Sequence, residues 1–244
     1  MKNNSYTALA PVYEKLISDC DYEKWSQYLL NLIKEYSCGV KGLDLACGSG
    51  IITRFLAKNG YKVSGMDYSE QMLTQAKLLS DKERLNVSYF KGDLNNLKTF
   101  EKYDFITCIN DGINYVKQEK LVNCFKSIAK SLNTGGLFLF DVSSEYKLKT
   151  VIGNNMFGED REDVSYLWFN TLKESRVEMD LSFFIKNGET YIKKEESHVQ
   201  YIHSESEIES ALAKAGLTLI KKDEFGKEIT EKSLRINYTV KKNG

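Results

Sequence analysis

Between Asp44 and Asp67 the chain reads DLACGSGIITRFLAKNGYKVSGMD. Two acids bracket a glycine turn, and each has a job that its chemistry suits. Gly48 and Gly50 remove side chains where a ligand would approach the backbone. A helix starting near Gly50 would aim its unpaired N–H groups at the same point. Asp67 can accept hydrogen bonds from both hydroxyls of a ribose. Asp44 suits the positive end of a ligand better than it suits a pyrophosphate. Together these residues describe a nucleoside pocket.

The elements that must hold them can be read from periodicity. Residues 40–46 form a short strand that can be buried, and residues 47–50 turn. Ile51, Ile52, Phe55 and Leu56 recur at helical spacing, and Asn59-Gly60 stops that helix. Residues 61–66 form the next strand, closed by Asp67. Two parallel strands joined by a helix make a right-handed crossover, whose ligand site lies at the carboxyl ends of the strands. A dinucleotide fingerprint would have a third glycine where Thr53 stands. Thr53 and Asp44 together speak against a nicotinamide oxidoreductase.

The step D-L-A-C-G-S-G followed by a second-strand Asp resembles the first two motifs of the class I S-adenosylmethionine-dependent methyltransferases. Ala46 stands where many members begin the turn with glycine. The resemblance implies S-adenosyl-L-methionine as cofactor, contacted at Asp44, Ala46, Cys47, Gly48, Gly50 and Asp67. Tyr68 and Met72 would pack on the adenine or ribose. In Gly92-Asp93-Leu94 the acid would accept from the adenine amine while Leu94 covers the ring. After the fourth strand, Asn110 would hold the methionine part. Asp111, Asn114 or Tyr115 would face the methyl acceptor.

The pattern A-x-x-Y-x-x-L-x-x-x-x-D-Y-x-x-W over residues 10–25 resembles an N-terminal segment that closes over the site in small-molecule members. It brings Tyr13 and Trp25 forward as pocket residues. The step from Leu132 through Gly135-Gly136 to Asp141 resembles the motif that follows the core. No N/D-P-P-Y/F turn follows the fourth strand, and the chain has a single proline, so amino-group transfer to DNA or protein amides is disfavoured. Among small-molecule members, sugar-amine N-methyltransferases and glycine N-methyltransferase are the nearest in kind.

The expected fold is α/β: a Rossmann-like, seven-stranded mixed sheet with helices on both faces. Residues 1–36 form a helical lid, with Pro11 in a first turn and Asp21 capping a second helix over residues 22–36. The core takes residues 37–145 and 204–244. It includes a Ser69-capped helix over 70–79, strands over 86–91, 103–109 and 137–142, a helix over 118–132 and a turn over 133–136. Residues 145–157 read as irregular. Strand-like runs over 164–172, 176–186 and 189–202, with an Asn187-Gly188 hairpin signal, make an antiparallel meander. That insert, residues 146–203, is the expected cover of the acceptor pocket. Ser204 and Glu207 form a capping box for a helix over 205–215, and strands over 217–225 and 234–240 close the sheet.

Composition bounds the rest. The chain has 244 residues with 34 basic and 34 acidic side chains, and a formal charge of zero favours neither nucleic acid nor an anionic membrane. Only 5 of the basic residues are arginine, which weighs against a phosphate-gripping surface. The first residues carry no apolar signal core, and no run nears about 18 apolar residues. Five cysteines without a C-x-x-C spacing read as reduced thiols, with Cys47 a small filler. A cytoplasmic protein, monomer or homodimer, follows.

His198 and His203 are the two histidines, and neither has metal-ligand spacing, so no metal is expected. The catalytic residue is left open among Asp111, Tyr115, Tyr13 and His198. The expected reaction is in-line methyl transfer to nitrogen or oxygen of a small molecule. A cofactor-binding module without turnover is the second reading, and an RNA or protein methyltransferase a weaker one.

Overall fold

The computed structural model describes residues 22–37, 39–99 and 101–244. The expected helix at Pro11, the Asp21 cap and Tyr13 lie outside them. Strands β1 (Lys41–Leu45), β2 (Lys62–Asp67), β3 (Ser88–Lys91), β4 (Tyr103–Cys108), β5 (Leu132–Ser143), β10 (Leu217–Asp223) and β11 (Arg235–Lys242) form one sheet. Its order is β10-β11-β5-β4-β1-β2-β3. The five strands from β1 to β5 pair in parallel, β11 runs antiparallel beside β5, and β10 pairs antiparallel with β11 at the edge. The connections diverge on the two sides of β1, so a crevice opens at the carboxyl ends of β1 and β4.

Helices cover both faces. On one, α1 (Tyr22–Tyr36) and α2 (Ile51–Lys58) pack Leu29, Ile33, Ile52 and Leu56 against Val63, Phe105, Leu137 and Leu139 of the strands. On the other, α4 (Leu121–Ser131) and α5 (Glu205–Lys214) pack Phe125, Ile128, Ile208 and Leu212 against Ile106, Phe138, Phe140 and Tyr238. Phe138, Phe140 and Tyr238 stack in sequence across β5 and β11, with centroids 4.6 and 4.8 Å apart. The burial of both faces explains why β4 and β5 read as continuous apolar runs. Helix α3 (Glu70–Lys82) is capped by the Ser69 hydroxyl, which accepts from the Met72 N–H at 3.3 Å. The capping box at Ser204 and Glu207 starts α5 as expected.

A second sheet, β6 (Met156–Asp160), β7 (Val164–Leu172), β8 (Arg176–Asn187) and β9 (Thr190–Tyr201), is fully antiparallel. The three strands read from sequence are there. The stretch read as irregular is not: it holds one π-helical segment, Lys147–Ile152, and the edge strand β6. The GED core of β6 is too polar and short to announce itself, and pairing with β7 holds it in the sheet. The expected turn at residues 133–136 is instead the start of β5, joined to β4 through a register break after Tyr103. The expected helix from residue 118 begins as a short 3₁₀ turn, Gln118–Lys120, before α4. No helix among the described residues is long and apolar enough to cross a membrane.

Candidate functional site

A cavity of about 570 Å³ opens at the carboxyl ends of β1, β2, β3 and β4. Asp44, Ala46, Cys47, Gly48, Asp67, Tyr68, Met72, Gly92, Asp93, Leu94 and Asn110 all line it, as does Tyr115. The loops after four separate strands therefore meet at one volume. Among the described residues, Trp25, Gly50, Asp111 and His198 are not in that lining.

Asp44 is buried, and two hydroxyls hold it. The Thr53 hydroxyl donates to Oδ2 at 2.6 Å and that of Thr107 to Oδ1 at 2.8 Å. Burial pushes its carboxyl up to about 6, against the pull of the two hydroxyls. It faces a cavity with neutral donors only at its oxygens, which leaves a carboxylate suited to a cation. Asp67 accepts the N–H of Gly48 at 2.9 Å and that of Ser69 at 2.8 Å. It thereby ties the glycine turn to the tip of β2. Burial raises its carboxyl too, opposed by the backbone donors. Asp93 accepts the Asn95 N–H at 2.8 Å, which fixes the loop after β3.

The two glycines do different work. Gly48 has φ +54°, and a Cβ there would meet nothing within 4 Å, so it stands open. Gly50 has φ +80°, and its Cβ would lie 2.5 Å from the Tyr89 hydroxyl. The expectation that Gly50 clears room for a ligand is corrected: it clears room for Tyr89, whose hydroxyl bonds Ser80. Ala46 adopts φ +52°, a left-handed conformation at the site where glycine is the usual choice. Burial holds the Cys47 thiol well above its ordinary value, consistent with a protonated filler.

At the tip of β4, Asn110 and Asp111 both have positive φ, 65° and 57°. The cause is Asp141 on β5, whose carboxylate accepts the N–H groups of both, at 2.6 and 3.0 Å. Asp111 is turned away from the cavity onto Arg235 of β11, which also pairs with Asp141. Burial pushes the Asp111 carboxyl up, but Arg235, Lys147 and the Gln200 amide outweigh it and hold it at about 2. Asp111 is thus held in an ion pair outside the cavity lining. Trp25 lies over the same guanidinium, 4.8 Å from its carbon, and edge-on to Phe225 at 5.3 Å. It is a packing residue of α1, as its 7% exposure agrees.

Several lining residues carried no signal in the sequence. Ile51 and Ile52 open α2 and give the cavity an apolar wall. Tyr22, Lys117 and Lys120 also line it, and Ser197, Val199 and Tyr201 reach it from β9. Thr53 and Thr107 lie 9 and 63 residues from the acid they hold, so only the fold unites them. His203 is buried, with Nε2 3.0 Å from the Val116 carbonyl, and burial lowers its pKa.

Comparison with known proteins points one way. A family model described as a methyltransferase domain matches residues 43–136. YqeM of Bacillus subtilis (strain 168), a protein named as a methyltransferase, is 35% identical over 222 residues, 88% of this chain and 87% of that one. A solved structure described as an S-adenosylmethionine-dependent methyltransferase from Clostridium acetobutylicum ATCC 824 superposes with a TM-score of 0.91. It is 35% identical and covers 98% of this chain and 99% of that one. The sugar N-methyltransferase KedS8 from Streptoalloteichus sp ATCC 53650 is 15% identical, with a TM-score of 0.77 over 94% of this chain and 91% of that one. That last likeness is one of fold.

Proposed function

The chain belongs to the S-adenosylmethionine-dependent methyltransferases, and from that premise we propose that it transfers a methyl group to a nitrogen or oxygen of a small-molecule acceptor. The observation that carries the reading is the cavity lining: Asp44, Asp67 and Asp93 come together at the strand tips, the cations among the described lining residues are Lys117 and Lys120, and no arginine is among them. A pyrophosphate would meet three acids there. A ligand with a positive amino-acid end, a ribose and an adenine, and no phosphate, meets complementary groups.

In this reading Asp44 takes the cofactor's ammonium end, since among the described residues its oxygens meet neutral donors, the Thr53 and Thr107 hydroxyls and the Thr53 backbone. Asp67 holds the ribose, and Asp93 with Leu94 and Met72 receives the adenine. Bound there, S-adenosyl-L-methionine supplies a sulfonium methyl that is already activated. The chain's own part is to align the acceptor and to exclude water. The acceptor enters under the second sheet, where Ser197, Val199 and Tyr201 wall the far end. The cavity's volume of about 570 Å³ supports a small acceptor, as does the fold shared with a protein named as a sugar N-methyltransferase.

Asp67→Ala tests the assignment. We expect S-adenosylhomocysteine affinity to fall about tenfold by calorimetry, the worth of one charge-assisted hydrogen bond pair. A change within about threefold would overturn it. The acceptor class is then sought by following methyl transfer to amino sugars, amines and small hydroxy acids.

A further inference from the structure

Strand β9 alternates two sets of side chains. Ser197, Val199 and Tyr201 reach the cavity, while Glu196, His198 and Gln200 are buried on the opposite face. That second face is unusual for the interior of a sheet, which favours apolar residues, and its polar groups are connected. His198 Nε2 lies 3.1 Å from Glu196 Oε2, and Nδ1 lies 3.3 Å from the Tyr115 hydroxyl. The Glu196 side chain is fully buried and that of His198 is 5% exposed. Tyr115 lines the cavity at the tip of β4, near Asn110 and Gly112.

The order of donors follows from chemistry. A carboxylate only accepts, so Nε2 carries the hydrogen and the neutral ring presents a lone pair at Nδ1. The Tyr115 hydroxyl then donates to Nδ1, and Tyr115 is itself a lining residue of the cavity. From β8 the residues in register with His198 and Glu196 are Met179 and Leu181, which bear no charge. Gln200, next on the same face, leads to Asp111 at 3.1 Å, where Arg235 already compensates the acid. Lys194 precedes Glu196 on that face and is exposed.

We infer that Tyr115 takes the proton of the methyl acceptor and that His198 and Glu196, as positioning residues, draw it out of the cavity; the acceptor is therefore a protic O–H or N–H nucleophile. The inference rests on the methyltransferase reading. The acceptor's lone pair forms the new bond to the methyl carbon, and the sulfur keeps the electron pair of the broken C–S bond. The acceptor's proton passes to the Tyr115 oxygen as the phenolic proton passes to His198 Nδ1. The products are a methylated neutral acceptor, a neutral thioether, a phenol and an imidazolium against the Glu196 carboxylate. The positive charge that began on sulfur ends on His198.

The test needs no acceptor to begin. The chain has two histidines, so ¹⁵N-histidine NMR of the cofactor-free protein resolves both rings, with His203 as internal reference. We expect His198 as the Nε2–H tautomer, with Nδ1 shifted by a hydrogen bond. Tyr115→Phe should move Nδ1 toward the position of an unbonded lone pair, and Glu196→Gln should abolish the tautomer preference. An Nδ1–H tautomer, or an Nδ1 resonance that ignores Tyr115→Phe, would overturn the relay. Should Glu196→Gln fail to fold, the Tyr115→Phe comparison decides alone.

In turnover, with amines, phenols and hydroxy acids as probes, His198→Gln should lower kcat about tenfold or more, in the range of general-base contributions. KM should stay within about twofold. Unchanged kcat, or turnover confined to carboxylate acceptors, would overturn the inference. S-adenosylhomocysteine calorimetry on the same sample separates the two failures. Binding with the wrong tautomer removes the relay and keeps the methyltransferase reading, while no binding removes that reading itself.

Discussion

Two acids near the tips of neighbouring strands meet opposite fates. Asp44, at the end of β1, is held by two neutral hydroxyls, and burial pushes its carboxyl up to about 6. Asp111, after β4, is mostly buried, and Arg235, Lys147 and Gln200 overcome the burial and hold it at about 2. One acid has no countercharge among the described residues and faces a cavity. The other has its countercharge and faces away. Burial of a carboxylate thus does not mark a ligand site by itself: the absence of a fixed cation does. The same contrast underlies the binding role proposed for Asp44 and the ion pair that holds Asp111.

Removing the fixed cation gives the largest effect. Arg235→Met strands Asp111 and Asp141 without their shared partner, and we expect a loss of about 3 kcal/mol in urea unfolding. A loss under about 1 kcal/mol would mean that the pair is compensated elsewhere.

The pH dependence of stability separates the acids by sign. The folded Asp44 carboxyl titrates above its unfolded value. Its contribution is full below about pH 4 and is lost as pH rises through about 6, roughly 3 kcal/mol in the cofactor-free protein. Folded Asp111 titrates below its unfolded value, so its contribution is present above about pH 4 and lost as pH falls toward about 2. Unfolding curves of Asp44→Asn and Asp111→Asn, each compared with wild type over pH 3–8, should differ in these opposite directions. Slopes of the same sign would break the comparison.

A finer test is Thr107→Val, which keeps the side-chain shape and removes one hydroxyl from Asp44. It should raise the Asp44 carboxyl further and cost about 1 kcal/mol above pH 6. An equal cost at pH 4 would show that the hydroxyl is held for packing.

What could be read from the sequence follows the same division. The glycine turn, both strand-end acids and the parallel core were legible because their signals are local. Apolar runs set the strands, and Ser69 and the Ser204 capping box set helix starts. What was not legible is what the fold brings together from afar. Arg235 is 94 residues from Asp141, and no local pattern announces that pair. Asp111 and Trp25 therefore looked like ligand contacts while being parts of one buried ion-pair cluster. Gly50 fitted a ligand-facing turn until Tyr89, on the third strand, filled the space beside it. The polar face of β9 was hidden because alternation reveals two faces without saying which one meets a neighbour.

The central claim is that Asp44 is an acid awaiting a cation in the cofactor cavity. It is tested most directly by S-adenosylhomocysteine calorimetry at pH 5 and pH 7.5. If the ligand's ammonium lowers the Asp44 carboxyl on binding, a proton is displaced at pH 5, and the affinity there should be about tenfold weaker than at pH 7.5. In Asp44→Asn the two affinities should converge. Equal wild-type affinities at the two pH values would contradict the account.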